Sequence, residues 1–190
     1  DPRLLREVAE AMAGLLPAGA DGLAGLELGG VPLATVLSQL TGLPAGFVRK
    51  QAKPYGTRRL AEGFDVAGRR LVVVEDVVTS GGAVVDSCRA LRAEGAEVAV
   101  ALCVIDREAG GPANLADVGV ELRPLFTMTA LIDNFGVATA TLFMIEASMH
   151  VPPGYAMFIP YLLEDRKTAP KVLKSFVPLL VIFIEKSQIL

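Results

Sequence analysis

Residues 71–82 read LVVVEDVVTSGG. Glu75 and Asp76 follow four apolar residues directly, and Val77, Val78, Thr79, Ser80, Gly81, Gly82 and Ala83 come next. An ionised carboxylate buried without a partner costs several kcal/mol. Two adjacent acids after an apolar run must therefore meet solvent, a cation or hydroxyl groups. The segment behind them has the opposite preference. Its glycines let backbone N–H groups approach a ligand closely, Thr79 and Ser80 add hydroxyl donors, and a following helix adds partial positive charge. The acids suit sugar hydroxyls or Mg²⁺ and the turn suits a phosphate, so a phosphorylated sugar satisfies both halves. Without a ligand, the same residues read as surface acids beside an ordinary loop. Neither GxxxxGK[ST] nor GxGxxG occurs, which excludes a Walker loop and a dinucleotide fingerprint.

Three further stretches carry candidate chemistry. FVRKQAKPYGTRRLAEG (47–63) places Arg49, Lys50 and Lys53 within five residues, with Tyr55 close behind. Cations so spaced suit a pyrophosphate, whose charge grows as it leaves; the plain alternative is a solvated charged loop. CVIDREAGG (103–111) ends an apolar run in Asp106-Arg107, either a strand-end ion pair or a guanidinium fork offered to a ligand carboxylate. ELGGVPLA (27–34) puts Gly29 and Gly30 between an apolar run and a helical pattern, where their N–H groups can face an anion.

Positioning these stretches requires an alternating scaffold. The spacing predicts helices over 4–15, 32–42 and 82–95, the second with Pro32 in its first turn and the third stopping at Gly95. Apolar runs predict strands over 23–28, 45–49, 71–76, 98–106 and 120–127. Uninterrupted apolar strands between helices imply a parallel sheet covered on both faces, an α/β fold. Ligands of such sheets sit beyond the carboxyl ends of the strands, where Glu75 and Asp76 fall.

The 190 residues, 52% hydrophobic, suffice for a buried core and argue against wholesale disorder. Net charge is −3, and residues 1–131 hold 13 basic against 16 acidic groups, which argues against a nucleic-acid surface. Cys88 and Cys103 lie in apolar surroundings and read as reduced core thiols of a cytoplasmic protein. His150 is the sole histidine, so neither a Ser-His-acid triad nor a transition-metal cluster can be assembled. No signal peptide is visible, and no apolar run reaches the ~20 residues of a membrane span without a charge or proline pair. Composition shifts near residue 131. The part before it has 11 Arg, 2 Lys and 1 Ile, and the part after has 1 Arg, 4 Lys and 6 Ile. Two regions are expected, a domain over 1–131 and a segment of separate character over 132–190.

LVVVEDVVTSGGAV resembles the phosphoribosyl-diphosphate signature of the type I phosphoribosyltransferases, and Arg49-Lys50-x-x-Lys53 after a short strand resembles the catalytic loop of the orotate phosphoribosyltransferases. With CVIDREAGG and ELGGVPLA, the four motifs stand in that family's order and cover about residues 3–131. The resemblance implies the type I phosphoribosyltransferase fold, with helices on both faces of a parallel sheet. It implies transfer of ribose 5-phosphate from 5-phosphoribosyl 1-diphosphate to orotate with Mg²⁺, giving orotidine 5′-monophosphate for UMP synthesis, in a cytoplasmic homodimer with shared active sites. No nucleic-acid or membrane partner is implied.

Carried over residue by residue, Arg49, Lys53 and Asp76 would be catalytic. Arg49, Lys50, Lys53, Tyr55 and Glu75 to Ala83 would hold the diphosphate substrate, and Thr79 and Arg107 would meet orotate. Two departures stand out. Tyr55 occupies a position where the family often has His. Members also carry an N-terminal segment with a Lys and aromatics that hold the base, which nothing before Leu4 supplies, so an N-terminally shortened copy is expected. The alternatives are a phosphoribosyltransferase for another base and a non-catalytic binder of the diphosphate.

Overall fold

The structure, a computed structural model, describes residues 1–49 and 61–135. The chain divides into two compact units, one over Val8–Thr127 and one combining Asp1–Glu7 with Met128–Leu190. Helix α1 (Pro2–Ala13) crosses the first boundary, and α5 (Met128–Phe135) lies in the second unit.

The Val8–Thr127 unit holds β1 (Gly22–Leu26), α2 (Gly30–Thr41), β2 (Ala45–Val48), β3 (Ala61–Glu62), β4 (Arg70–Val78), α3 (Gly82–Ala93), β5 (Glu97–Asp106), α4 (Gly111–Ala116) and β6 (Glu121–Thr127). The six strands form one sheet in the order β3-β2-β1-β4-β5-β6. All neighbours pair parallel except β2 and β3. The parallel sheet expected from the apolar strands is therefore present, with one addition. The two-residue β3 follows β2 in the chain and pairs with it antiparallel.

The strands are apolar throughout because both faces of the sheet are covered. Val72, Val73 and Val74 point alternately to opposite faces, yet each is at most 2% exposed. On one face a core gathers Ala24, Leu26, Leu71, Val73, Cys88, Leu91, Cys103 and Leu115. Each fully buried valine or leucine contributes about 1.5–3 kcal/mol, which holds the strands in a fixed register. Edge strand β6 carries Pro124 opposite Cys103, a position open to proline only where one side of the strand has no partner. At the far end of the domain, Arg92 of α3 donates to the carbonyls of Val98, Val118 and Gly119 and so ties the turn after α4 to the start of β5.

Candidate active site

The chain runs from β1 through α2 to β2 on one side, and from β4 through α3 to β5 on the other. The crevice beyond the carboxyl ends of β1 and β4, where the direction of winding reverses, is where such sheets take ligands. Three connections leave this edge in parallel: 27–29 after β1, 79–81 after β4 and 107–110 after β5. Each leads into a helix capped by a glycine, Gly29, Gly81 or Gly110, with no side-chain cap hydrogen bond. The first N–H groups of a helix have no intrahelical acceptor. Without a capping side chain such groups can meet other acceptors, as the Val31 N–H of α2 meets the Leu28 carbonyl at 3.2 Å, and the dipole favours an anion.

The acid pair sits where the sheet opens. Pairing of β4 with β1 ends at Val74 opposite Gly25, while pairing with β5 continues to Val78 opposite Asp106. Glu75 and Asp76 thus lie within the strand, two residues before its end, on a stretch flanked by one neighbour only. Sequence reading ended the strand at Asp76; the β5 partner extends it to Val78. Both acids are half-buried. Their carboxylates accept from local backbone, Asp76 N–H donating to Glu75 Oε1 at 2.9 Å and Val77 N–H to Asp76 Oδ1 at 2.6 Å.

The 27–30 turn fills the place that β1 vacates. A Cβ on Gly29 would fall on the Asp76 carboxylate, and one on Gly30 would fall on the Val74 carbonyl oxygen. The two glycines, read from sequence as N–H donors, are also needed because no side chain fits between the turn and β4. The Glu27–Leu28 peptide in this turn is cis, and Leu28 is exposed.

Beyond Val78, Thr79 and Ser80 are exposed and Gly81 takes φ +78, a left-handed conformation that glycine adopts without cost. The neighbouring turn packs tightly onto this one. Arg107 N–H donates to the Val78 carbonyl at 2.8 Å, and Asn114 Nδ2 donates to the Ser80 carbonyl at 2.9 Å. A Cβ on Gly111 would lie 2.6 Å from Val78 Cγ1 and 2.8 Å from the Thr79 carbonyl oxygen. Arg107 stands one residue past β5, half-buried, and Asp106 beneath it is buried, accepting from Glu108 N–H at 2.9 Å.

Four of the predicted groups therefore meet along one edge in sheet order: Arg49 past β2, Gly29 and Gly30 past β1, Glu75 to Ala83 on β4 and its turn, and Arg107 past β5. Arg49 is paired with Glu62 of β3 at 3.1 Å, a partner not foreseen from sequence. Lys50, Lys53 and Tyr55 lie outside the described residues. Asn114 was also missed. The helix that carries it was signalled by Pro112 behind two glycines, a start pattern for a helix. Cys103 pairs with Glu75 across β4 and β5, but burial, with the charges of Asp106 and Glu75, raises its thiol far above the ordinary range, which removes it as a nucleophile.

Among the described residues, no three carboxylate, thiol or imidazole groups gather to cage a metal. The donor set is two adjacent carboxylates near the end of β4, ahead of a turn whose helix start has no capping side chain. It fits Mg²⁺, which keeps much of its water and binds through one or two carboxylates together with substrate phosphates.

The phosphoribosyl transferase domain family matches residues 1–128. An orotate phosphoribosyltransferase of a Nocardioides species is 63% identical over 131 residues, 69% of this chain and 73% of that protein. The orotate phosphoribosyltransferase of Methanocella arvoryzae is 41% identical over 132 residues, 70% of this chain and 75% of that protein. The crystal structure of Mycobacterium tuberculosis orotate phosphoribosyltransferase in complex with 5-phospho-α-D-ribosyl 1-diphosphate superposes with a TM-score of 0.59 at 31% identity, covering 65% of this chain and 73% of that one.

Proposed function

We propose that this chain, which belongs to the orotate phosphoribosyltransferase family, transfers ribose 5-phosphate from 5-phosphoribosyl 1-diphosphate to N1 of orotate. The products are orotidine 5′-monophosphate and pyrophosphate, a step of UMP synthesis. The observation that carries the reading is the meeting of an acid pair with an uncapped helix start at the β1/β4 crevice, a site with one half for hydroxyls and one for phosphate.

Residues Val77 to Ala83 wrap the 5′-phosphate, with N–H groups at the start of α3 as donors. Glu75 and Asp76 accept from the ribose hydroxyls. The N–H groups of Gly29 and Gly30 face the pyrophosphate, and Arg107, with Thr79, orients the planar base through its fork of donors. The C1–O bond to pyrophosphate breaks as the bond to N1 forms, and the N1 proton passes to solvent. Arg49, Lys50 and Lys53 stabilise the charge that gathers on the departing pyrophosphate. Tyr55 offers a hydrogen bond in the same loop but is a poor proton carrier near neutral pH. Asp76, with Glu75, would hold a Mg²⁺ carried in with the diphosphate, and the ion would supply further neutralisation of the leaving group.

The same reading includes a homodimer in which the 49–55 loop serves the neighbouring subunit's site. It places the protein in the cytoplasm, supported by two buried, unpaired thiols, with a catalytic domain over 1–131 and a separate segment over 132–190. No helix among the described residues is long and apolar enough to cross a membrane.

The test is orotate- and Mg²⁺-dependent release of pyrophosphate, with adenine and hypoxanthine as rival bases. Turnover with orotate alone supports the assignment, and equal turnover with a purine overturns it. Lys53→Ala should lower kcat more than it weakens substrate binding, because its charge matters most as pyrophosphate leaves; an unchanged kcat removes Lys53 from that role.

A further inference from the structure

The Ser80 carbonyl accepts from Asn114 Nδ2 at 2.9 Å, across 34 residues of sequence. A trans peptide is planar, with its C=O and N–H pointing in opposite directions. Fixing the Ser80 carbonyl toward α4 therefore turns the Gly81 N–H away from α4. The Gly81 conformation, φ +78 and ψ 4, suits this orientation. Gly81 caps α3, so its N–H belongs to the donors at the helix start, and the bond from Asn114 decides where that donor points.

Four other contacts hold Asn114 and the turn in one body. The Asn114 N–H donates to the Gly110 carbonyl at 3.1 Å, and Arg107 N–H donates to the Val78 carbonyl. Gly111 lies so close to Val78 and Thr79 that no side chain fits between them. Leu115, one residue beyond Asn114, is fully buried against the glycine side of the turn. The turn that holds Arg107 and the turn that holds the phosphate donors are thus joined by side chain, backbone and packing.

We propose that Asn114 is a positioning residue: by holding the Ser80 carbonyl it aims the Gly81 N–H at the 5′-phosphate and links occupancy of the phosphate turn to the Arg107 turn. The inference rests on the reading of 77–83 as the phosphate turn. In consequence, bound ribose 5-phosphate tightens the binding of orotate in the intact protein, and this coupling weakens without the Asn114 donor.

The experiment measures ribose 5-phosphate binding by calorimetry, and orotate binding with and without ribose 5-phosphate, for the full chain and for Asn114→Ala. Loss of one hydrogen bond that orients a donor predicts about fivefold weaker ribose 5-phosphate binding. KM for the diphosphate substrate rises by a similar factor while kcat falls less, and the orotate enhancement shrinks. Arg92→Met is the control for a purely structural effect. Arg92 braces the turn after α4 from the other side, so its loss lowers the unfolding midpoint and leaves ribose 5-phosphate affinity unchanged. If Asn114→Ala does not fold, Asn114→Asp, of equal size but without the donor, takes its place. Wild-type affinity and undiminished coupling in the folded variant overturn the role of Asn114. Failure of the wild-type chain to bind ribose 5-phosphate overturns the phosphate-turn reading itself.

Discussion

The two edges of the parallel sheet hold charge in different settings. At the amino edge, Asp21 accepts from the backbone N–H, Nε and a terminal guanidinium nitrogen of Arg70 at 2.9–3.2 Å, and gives its own N–H to the Arg70 carbonyl. A cavity of about 190 Å³ opens there, lined by Pro17, Gly19, Arg70, Leu71 and Val100, but its cation is already engaged by Asp21. At the carboxyl edge, three helices start without capping side chains, and the Glu75 and Asp76 carboxylates accept from their own stretch of backbone. The second edge is where the site proposed for a molecule with both hydroxyls and phosphates lies.

The sharpest break of this contrast is Asp76→Asn, which should lower turnover well over tenfold, at about 1.4 kcal/mol per decade, with an intact far-UV spectrum. Turnover within a factor of two of wild type would remove Asp76 from the site. Next in size is Gly29→Ala. Its methyl group falls on the Asp76 carboxylate, so the turn must move, with an overpacking cost of about 1–3 kcal/mol and weaker binding of the diphosphate substrate. Gly42→Ala makes the matching change at the opposite end of α2. There the left-handed φ of +75 costs about 1–2 kcal/mol, but the space is open and substrate binding should be untouched. Equal effects of the two substitutions on substrate affinity would erase the distinction between the edges.

Between the edges, ionisation is opposed by burial. Burial pushes the Cys88 thiol from 9.0 up to about 11, against the opposing pull of the Arg92 charge. A raised thiol pKa means the folded state retains its proton longer than the unfolded chain. The stability it contributes is full below pH 9 and is lost as pH rises to 11, on the order of 3 kcal/mol. Urea midpoints at pH 8 and pH 11 should converge more closely in Cys88→Ala than in wild type; identical slopes would reject the assignment. The smallest effect belongs to Asp21. Arg70 lowers its pKa through side-chain and backbone hydrogen bonds. A depressed carboxylate stabilises above its ordinary pKa and loses that contribution as pH falls through the lower folded value. Asp21→Asn should therefore shift the unfolding midpoint slightly at pH 7, not at all in strong acid, and leave turnover alone. A fall in turnover would give the amino edge a part in catalysis.

The acid–turn stretch was legible because its physics is local. A valine run identifies a buried strand, and acids followed at once by small residues have few other places to be. The strand order was legible in class and not in detail. Two-residue β3 is too short for any periodicity, and its pairing depends on the path between residues 49 and 61. Helix α4 was not foreseen, because six residues complete fewer than two helical turns. Gly29 was assigned to anion binding for its N–H, while the close approach of Asp76 that demands a glycine joins residues 47 apart. The bond from Asn114 to Ser80 and the pair of Arg49 with Glu62 are likewise set by the fold, and spacing along the chain carries no trace of either.

Pro124 has a consequence outside the site. An open sheet edge is a template on which a strand from another molecule can add, and newly made chains meet one another before folding is complete. A proline in the middle of β6 lacks the N–H that a continuous ladder needs, so an added strand would lose a bond at the centre of the seven-residue edge. The same residue that the sheet tolerates only at its margin thereby protects the protein from polymerising through it, and a variant such as Pro124→Val should aggregate faster during refolding at high concentration.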